Sequence, residues 1–263
     1  MPSIFSYQSA EVDWCEGNFE HSEYIAEYYN TISNISFFIL APLILWLNSP
    51  YKDFRPLPVC SLALMEICIG IFSAYFHMTL SYAGQLLDEL SILWGMSMCY
   101  AFWFPVRYFP GFIKNRDQFM WLVLLVTLFS TLMSFVRPAL NAYALNCVAF
   151  HLLYLTVQEL RQCNNSRVHH LAGLMVFWWA VSIGCWLGDK FLCSWCQQLG
   201  FCYLHSLWHV FINVTLLYCA TLIIYFDVLY ESPASEPQLM YWPGETSALA
   251  LPYVAIRKPQ KWC

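Results

Sequence analysis

Charge is scarce in this sequence: only 11% of its 263 residues are Asp, Glu, Lys or Arg, against a hydrophobic share of 59%. A water-soluble globule is typically about a quarter charged, so this composition excludes one. Basic residues are scarcer still, 12 against 17 acidic, and the net charge of -5 leaves no basic surface for a polyanion. No nucleic-acid partner is expected. The first thirty residues contain no Lys or Arg, only Glu11, Asp13, Glu16, Glu20, Glu23 and Glu27 among the charged types, so the basic start and apolar run of a cleavable signal are missing. The first membrane span is therefore expected to do the targeting. Long polar connections are missing too, and with them any room for a soluble domain between the apolar runs.

What is present is apolar sequence in helical lengths, with a mean hydropathy of +0.50 and 19% aromatic residues. A hydrocarbon core of ~30 Å takes roughly 20 helical residues to cross. Seven such runs are legible, at Thr31 to Asn48, Leu57 to Leu80, Leu86 to Phe104, Phe119 to Phe135, Leu140 to Val157, Leu171 to Leu187 and Tyr203 to Phe226. The expected fold class is all-α, a polytopic membrane protein built as a seven-transmembrane helix bundle. It divides into an acidic segment over 1–30, the bundle over 31–226 and a tail over 227–263. Pro233, Pro237, Pro243, Pro252 and Pro259 make that tail read as irregular.

Seven spans put the termini on opposite sides, and basic residues choose which. One side collects Lys52, Arg55, Arg107, Lys114, Arg116, Arg161, Arg167, Arg257, Lys258 and Lys261, while the other holds only Arg137 and Lys190. The N-terminus is thus expected in the lumen and the C-terminus in the cytosol. Cys60, Cys68, Cys99, Cys147, Cys185 and Cys219 lie inside apolar runs, where cysteine acts as a small hydrophobe. Cys15, Cys193, Cys196 and Cys202 fall on the luminal side. A bridge from Cys15 to the loop after span six, with Cys193 foremost, is one expectation, and free thiols are the other.

Ionisable residues inside spans cost a few kcal/mol each on insertion scales, which makes them functional candidates. Ser73 and His77 stand four apart near the luminal end of span two, Asp88 opens span three on the same side, and His205 and His209 stand four apart at the luminal end of span seven. Spacing of four puts each pair on one helix face. Three histidines from two helices match a catalytic zinc site, with three nitrogen ligands and a fourth position for water. Asp88 can then take that water's proton or fix its orientation, and Ser73 can donate a hydrogen bond to an oxyanion, an arrangement suited to amide or ester hydrolysis. Taken singly, each histidine reads as a helix-interface hydrogen bonder; two pairs and a carboxylate at one depth outweigh that. His151 stands alone in mid-span, and Glu66 has no evident partner.

The acidic segment reads Asp13-Trp14-Cys15-Glu16-Gly17-Asn18, with Glu27 just ahead of span one. Hard oxygen donors at short spacing suit calcium, but the spacing is not that of an EF-hand, and taken alone it favours a solvated tail.

Ser73-x-x-x-His77, Asp88 and His205-x-x-x-His209 resemble the motif set of the alkaline ceramidase, adiponectin receptor and haemolysin-III superfamily of seven-span metal hydrolases. The opening from Ile4-Phe5 through Glu11-Val12-Asp13-Trp14-Cys15-Glu16, with Tyr75-Phe76-His77-Met78-Thr79-Leu80, Gln85-Leu86-Leu87-Asp88-Glu89 and Leu251-Pro252-Tyr253-Val254, resembles the alkaline ceramidase family in particular. The resemblance implies zinc on His77, His205 and His209, catalytic roles for Ser73 and Asp88, and calcium on Asp13, Trp14 through its carbonyl, Glu16, Asn18 and Glu27. It further implies hydrolysis of membrane ceramide to sphingosine and fatty acid, stimulated by calcium, in the endoplasmic reticulum; protein partners stay undefined. The alternative is a seven-span lipid-binding receptor of the adiponectin-receptor type with a structural metal, which the short loops disfavour.

Overall fold

In a computed structural model of the chain, the described residues are 3–137, 139–247 and 250–256. Arg257, Lys258, Pro259 and Lys261, which enter the charge and tail arguments above, lie outside them. The order of elements is α1 (Tyr28–Ser33), α2 (Ile35–Leu47), α3 (Ser49–Phe54), α4 (Pro56–Thr79), α5 (Tyr82–Trp103), α6 (Arg116–Val136), α7 (Ala139–Gln162), α8 (Ser166–Phe191), α9 (Cys193–Gln198), α10 (Leu204–Glu231) and a hairpin of β1 (Gln238–Trp242) and β2 (Leu251–Ala255). Among the described residues, five stretches are long and apolar enough to cross a membrane: Tyr28–Leu47, Pro56–Thr79, Arg116–Val136, Ser166–Phe191 and Leu204–Glu231. The other two expected spans fall in α5 and α7, which have the length but less apolar sequence. Gln85, Asp88 and Glu89 interrupt the first, and Asn141, Asn146, His151, Gln158 and Glu159 the second.

Local chemistry sets the helix ends. Pro56 opens α4 at a position where its missing N–H costs nothing. Ser81, Asn115 and Asn165 cap α5, α6 and α8, each side chain accepting a backbone N–H of the first turn. The last turn of α4 is completed from elsewhere. A helix leaves its final carbonyls unpaired, and here His77 O, Met78 O, Thr79 O and Leu80 O accept from the N–H groups of Glu27, Ala26, Gln8 and Ala10 at 2.9–3.0 Å. The N-terminal segment is thereby laced to the end of α4. Leu80 takes a left-handed conformation there, φ 47°, a strained choice for a non-glycine residue.

α4 packs between α2 and α5, and α8 lies along α10. Close approach between helices rests on glycine: a Cβ at Gly84 would stand 2.9 Å from Phe76 Cα, and one at Gly70 2.9 Å from Phe37 Cβ. The main core, including Ile44, Tyr51, Val59, Leu171, Ile224 and Val228, sits toward the end remote from the N-terminal segment. That end also holds a polar network. Tyr51 Oη donates to Asp227 at 2.8 Å, Trp103 Nε1 donates to Tyr51 Oη at 2.8 Å, and Arg55 pairs with Asp227. Arg107 pairs with Glu159, and Arg116 with Glu231 at 3.6 Å.

The tail departs from the irregular coil expected of its prolines. β1 and β2 pair antiparallel, with Leu239 opposite Val254, both buried in the main core. Pro252 fits because each strand of a two-stranded ribbon has one side without a partner strand, where a missing N–H breaks no ladder. Its carbonyl accepts from Thr221 Oγ1 at 3.0 Å, which ties the hairpin to α10. Strands this short, with proline in one of them, leave little alternation to read in the sequence.

Candidate metal centre

The last turn of α4 and the first two turns of α10 meet below the N-terminal segment. His77 comes from the first, His205 and His209 from the second, and all three rings are buried. Ring centroids lie 4.9 Å apart for His77 and His205, 5.1 Å for His77 and His209, and 4.9 Å for His205 and His209. One nitrogen of each ring lies within 4.8 Å of the others, and among the described residues this is the one group of histidine, cysteine or carboxylate side chains so gathered. His77 Nε2 and His205 Nδ1 have no hydrogen-bond partner. Buried polar atoms are almost always satisfied, so two orphaned imidazole nitrogens within this cluster fit a metal cation.

Ser73, one turn before His77, places Oγ 3.4 Å from His209 Nε2 and interacts side chain to side chain with Asp88. The structure thus brings together all five residues singled out in the spans. His151 does not belong with them, its Nδ1 meeting Tyr100 Oη at 2.7 Å. Glu66 is buried with Oε2 unpartnered, and nothing in the structure explains it.

The rings are supported mostly from one stretch of chain. Glu27 Oε2 lies 2.5 Å from His77 Nδ1, the Trp14 ring stacks on His205 at 3.8 Å between centroids, and Ser33 Oγ lies 2.7 Å from His209 Nδ1. Asp189 of α8, 1% exposed, adds a brace: its oxygens accept the N–H of Cys15 at 2.9 Å and of His205 at 3.2 Å. A disulfide between Cys15 and Cys193 closes the same corner, with Cα atoms 5.2 Å apart, while Cys196 and Cys202 are free thiols. Asp189 and Ser33 escape notice in the sequence. An aspartate beside Lys190 at the end of an apolar run reads as an interfacial charge, and a serine in a helix as a back-bonded hydroxyl.

The five residues expected at calcium lie in one folded loop. Asp13 Oδ2 accepts from Asn18 Nδ2 at 3.0 Å, while Asn18 Oδ1 is unpartnered. Glu16 accepts the N–H groups of Tyr29 at 2.6 Å and Asn30 at 2.8 Å, placing negative charge at the start of α1. Glu27 Oε1 accepts the Trp14 N–H at 3.1 Å and Oε2 accepts from Asn30 Nδ2 at 3.1 Å. Burial raises the carboxyl of Glu16, and pushes that of Glu27 up to about 8, with Asp13 beside it adding to the effect. These carboxylates do not converge as the histidine nitrogens do. Three acids in a segment that contains no Lys or Arg nevertheless fit a hard cation, as does the orphaned Asn18 oxygen.

The model of a protein family described as Ceramidase matches residues 6–255. Alkaline ceramidase 1 from Homo sapiens is 48% identical over 264 residues, covering all of both chains, and alkaline ceramidase 1 from Mus musculus is 46% identical over all of this chain and 97% of its own. An alkaline ceramidase from Drosophila melanogaster is 38% identical over 96% of this chain and 90% of its own. The match takes in the acidic loop, the three histidines and the hairpin alike, and by it the chain belongs to the ceramidase family.

Proposed function

We propose that this protein is a zinc-dependent amidase of the endoplasmic reticulum membrane, hydrolysing ceramide to sphingosine and a free fatty acid under stimulation by calcium. The observation that carries the reading is the buried trio of His77, His205 and His209, two of them with unpaired nitrogens, beside Ser73 and Asp88 in a chain of this family. The relatives reported above are named as alkaline ceramidases.

His77, His205 and His209 would hold the zinc. Bound there, zinc supplies Lewis acidity and lowers the pKa of water toward ~7. Asp88 accepts the proton of the attacking water and returns it to the amine that leaves as sphingosine. Ser73 donates a hydrogen bond to the carbonyl oxygen as negative charge grows on it. Burial of all three rings keeps bulk water from competing for these contacts.

In this reading the chain crosses the bilayer seven times, α5 and α7 included, with the N-terminal segment 1–30 luminal, the bundle over 31–226 and the tail 227–263 cytosolic. Ceramide is too apolar to leave the bilayer, so a site set just below the luminal surface meets it from the side. Calcium sits on Asp13, the Trp14 carbonyl, Glu16, Asn18 and Glu27. One experiment tests the whole reading. Purified protein should release fatty acid from ceramide, lose that activity to a zinc chelator and gain activity as calcium is titrated, with the gain absent in Glu27→Gly. Undiminished hydrolysis after zinc removal would end the metal mechanism, and a parent-like calcium response in Glu27→Gly would end the calcium assignment.

A further inference from the structure

Ser33 is the last residue of α1 and stands outside both ion-binding sets assigned above. Its Oγ makes two contacts, 2.9 Å to the carbonyl of Asn30 and 2.7 Å to His209 Nδ1. A serine hydroxyl has one proton and two lone pairs, and a carbonyl oxygen can only accept. Its proton therefore goes to Asn30 O, and toward the imidazole the oxygen acts as acceptor. The proton on His209 must then sit on Nδ1, which leaves Nε2 with a free lone pair. That nitrogen lies 3.4 Å from Ser73 Oγ. The opposite tautomer would put an N–H on Nε2 and leave that atom no lone pair for a metal.

Resting on the zinc reading, we infer that Ser33 is a positioning residue, which fixes the tautomer and the ring of His209 so that Nε2 is presented as a metal ligand. Metal-binding imidazoles generally donate their second N–H to a neighbouring acceptor. His77 has the carboxylate of Glu27 for this purpose, 2.5 Å away. His209 has only the hydroxyl of Ser33 at its Nδ1, delivered by the next turn of the same chain. Its backbone is pinned separately, the carbonyl accepting from Asn213 Nδ2 at 2.7 Å. That bond holds the main chain of α10, and Ser33 the orientation of the ring.

The test uses the full-length protein in lipid nanodiscs, stripped of metal, with zinc affinity measured by competition against a chromophoric chelator. Ser33→Ala should bind zinc about 10- to 100-fold more weakly than the parent, the usual effect of losing such a support. Thr and Val have nearly the same shape and differ by the hydroxyl, so Ser33→Thr should bind within about threefold of the parent and Ser33→Val should fall with Ser33→Ala. This pair decides the matter even if Ser33→Ala does not fold. Equal affinities in the Thr and Val variants, or parent-like affinity in Ser33→Ala, overturn the assignment. So does a variant whose metal-free melting temperature falls while its zinc affinity holds, which would reduce Ser33 to a helix-end contact. A parent that takes up no zinc overturns the zinc reading together with this one, and the parent measurement alone tells the two failures apart.

Discussion

At the scale of single residues, ligation and chemistry should separate. His77→Ala, His205→Ala and His209→Ala each leave two protein ligands, so zinc and activity should be lost together. Ser73→Ala and Asp88→Asn keep the three rings, so zinc content should stay at the parent level while turnover drops ~100-fold or more. Elemental analysis beside a rate assay reads both, and loss of zinc in Asp88→Asn would move that carboxylate among the ligands. These five residues are legible in sequence because i, i+4 spacing declares a shared helix face, and because ionisable groups in apolar runs need a reason to be there. Their supports are not. Asp189 acts through two backbone N–H groups far from it in sequence, Cys15 and His205, and nothing in its neighbours announces either. Glu27 is visible as an acid near span one, but its contact with His77 depends on the segment folding back over α4.

At the scale of elements, the N-terminal segment is a strap. It supplies the donors that close α4 and reaches Asp189 and Cys193 at the far side of the site. Cys15 and Cys193 are 178 residues apart, so their bond closes a long loop, near the top of the ~2–5 kcal/mol range for such links. Non-reducing peptide mapping should recover a peptide joining Cys15 to Cys193, with Cys196 and Cys202 free. Reduction, or Cys15→Ser, should lower the melting temperature. An unlinked Cys15 in protein recovered from an oxidising compartment would refute the bridge. The sequence marks the two cysteines as candidates by their position outside the spans, and geometry chooses between partners. The same lack of long-range information hides the break between α1 and α2 at Asn34, the short α3, and the hairpin hidden among prolines.

For the whole molecule, apolar runs mark where the long helices fall, five of them apolar enough to cross a membrane among the described residues, while the expected sidedness rests on charge. Arg55, Arg107 and Arg116 pair with acids near the end remote from the histidines, as a cytosolic face rich in cations would have it. In sealed microsomes, an epitope at the N-terminus should resist added protease and one at the C-terminus should be digested; the reverse pattern, or equal exposure, would overturn the seven-span orientation. The strap also orders events in time. A chain emerges N-terminus first, so Trp14 and Cys15 are made long before Asp189, Cys193 and His205, the groups that they meet in the finished fold. Until α10 has been synthesised and docked, His77 has neither of its companion rings, and the early segment has nothing at the far corner to hold. If the three histidines form the hydrolytic centre, a chain truncated anywhere before His205 lacks at least two of its three rings and should leave the ribosome without activity toward the membrane around it.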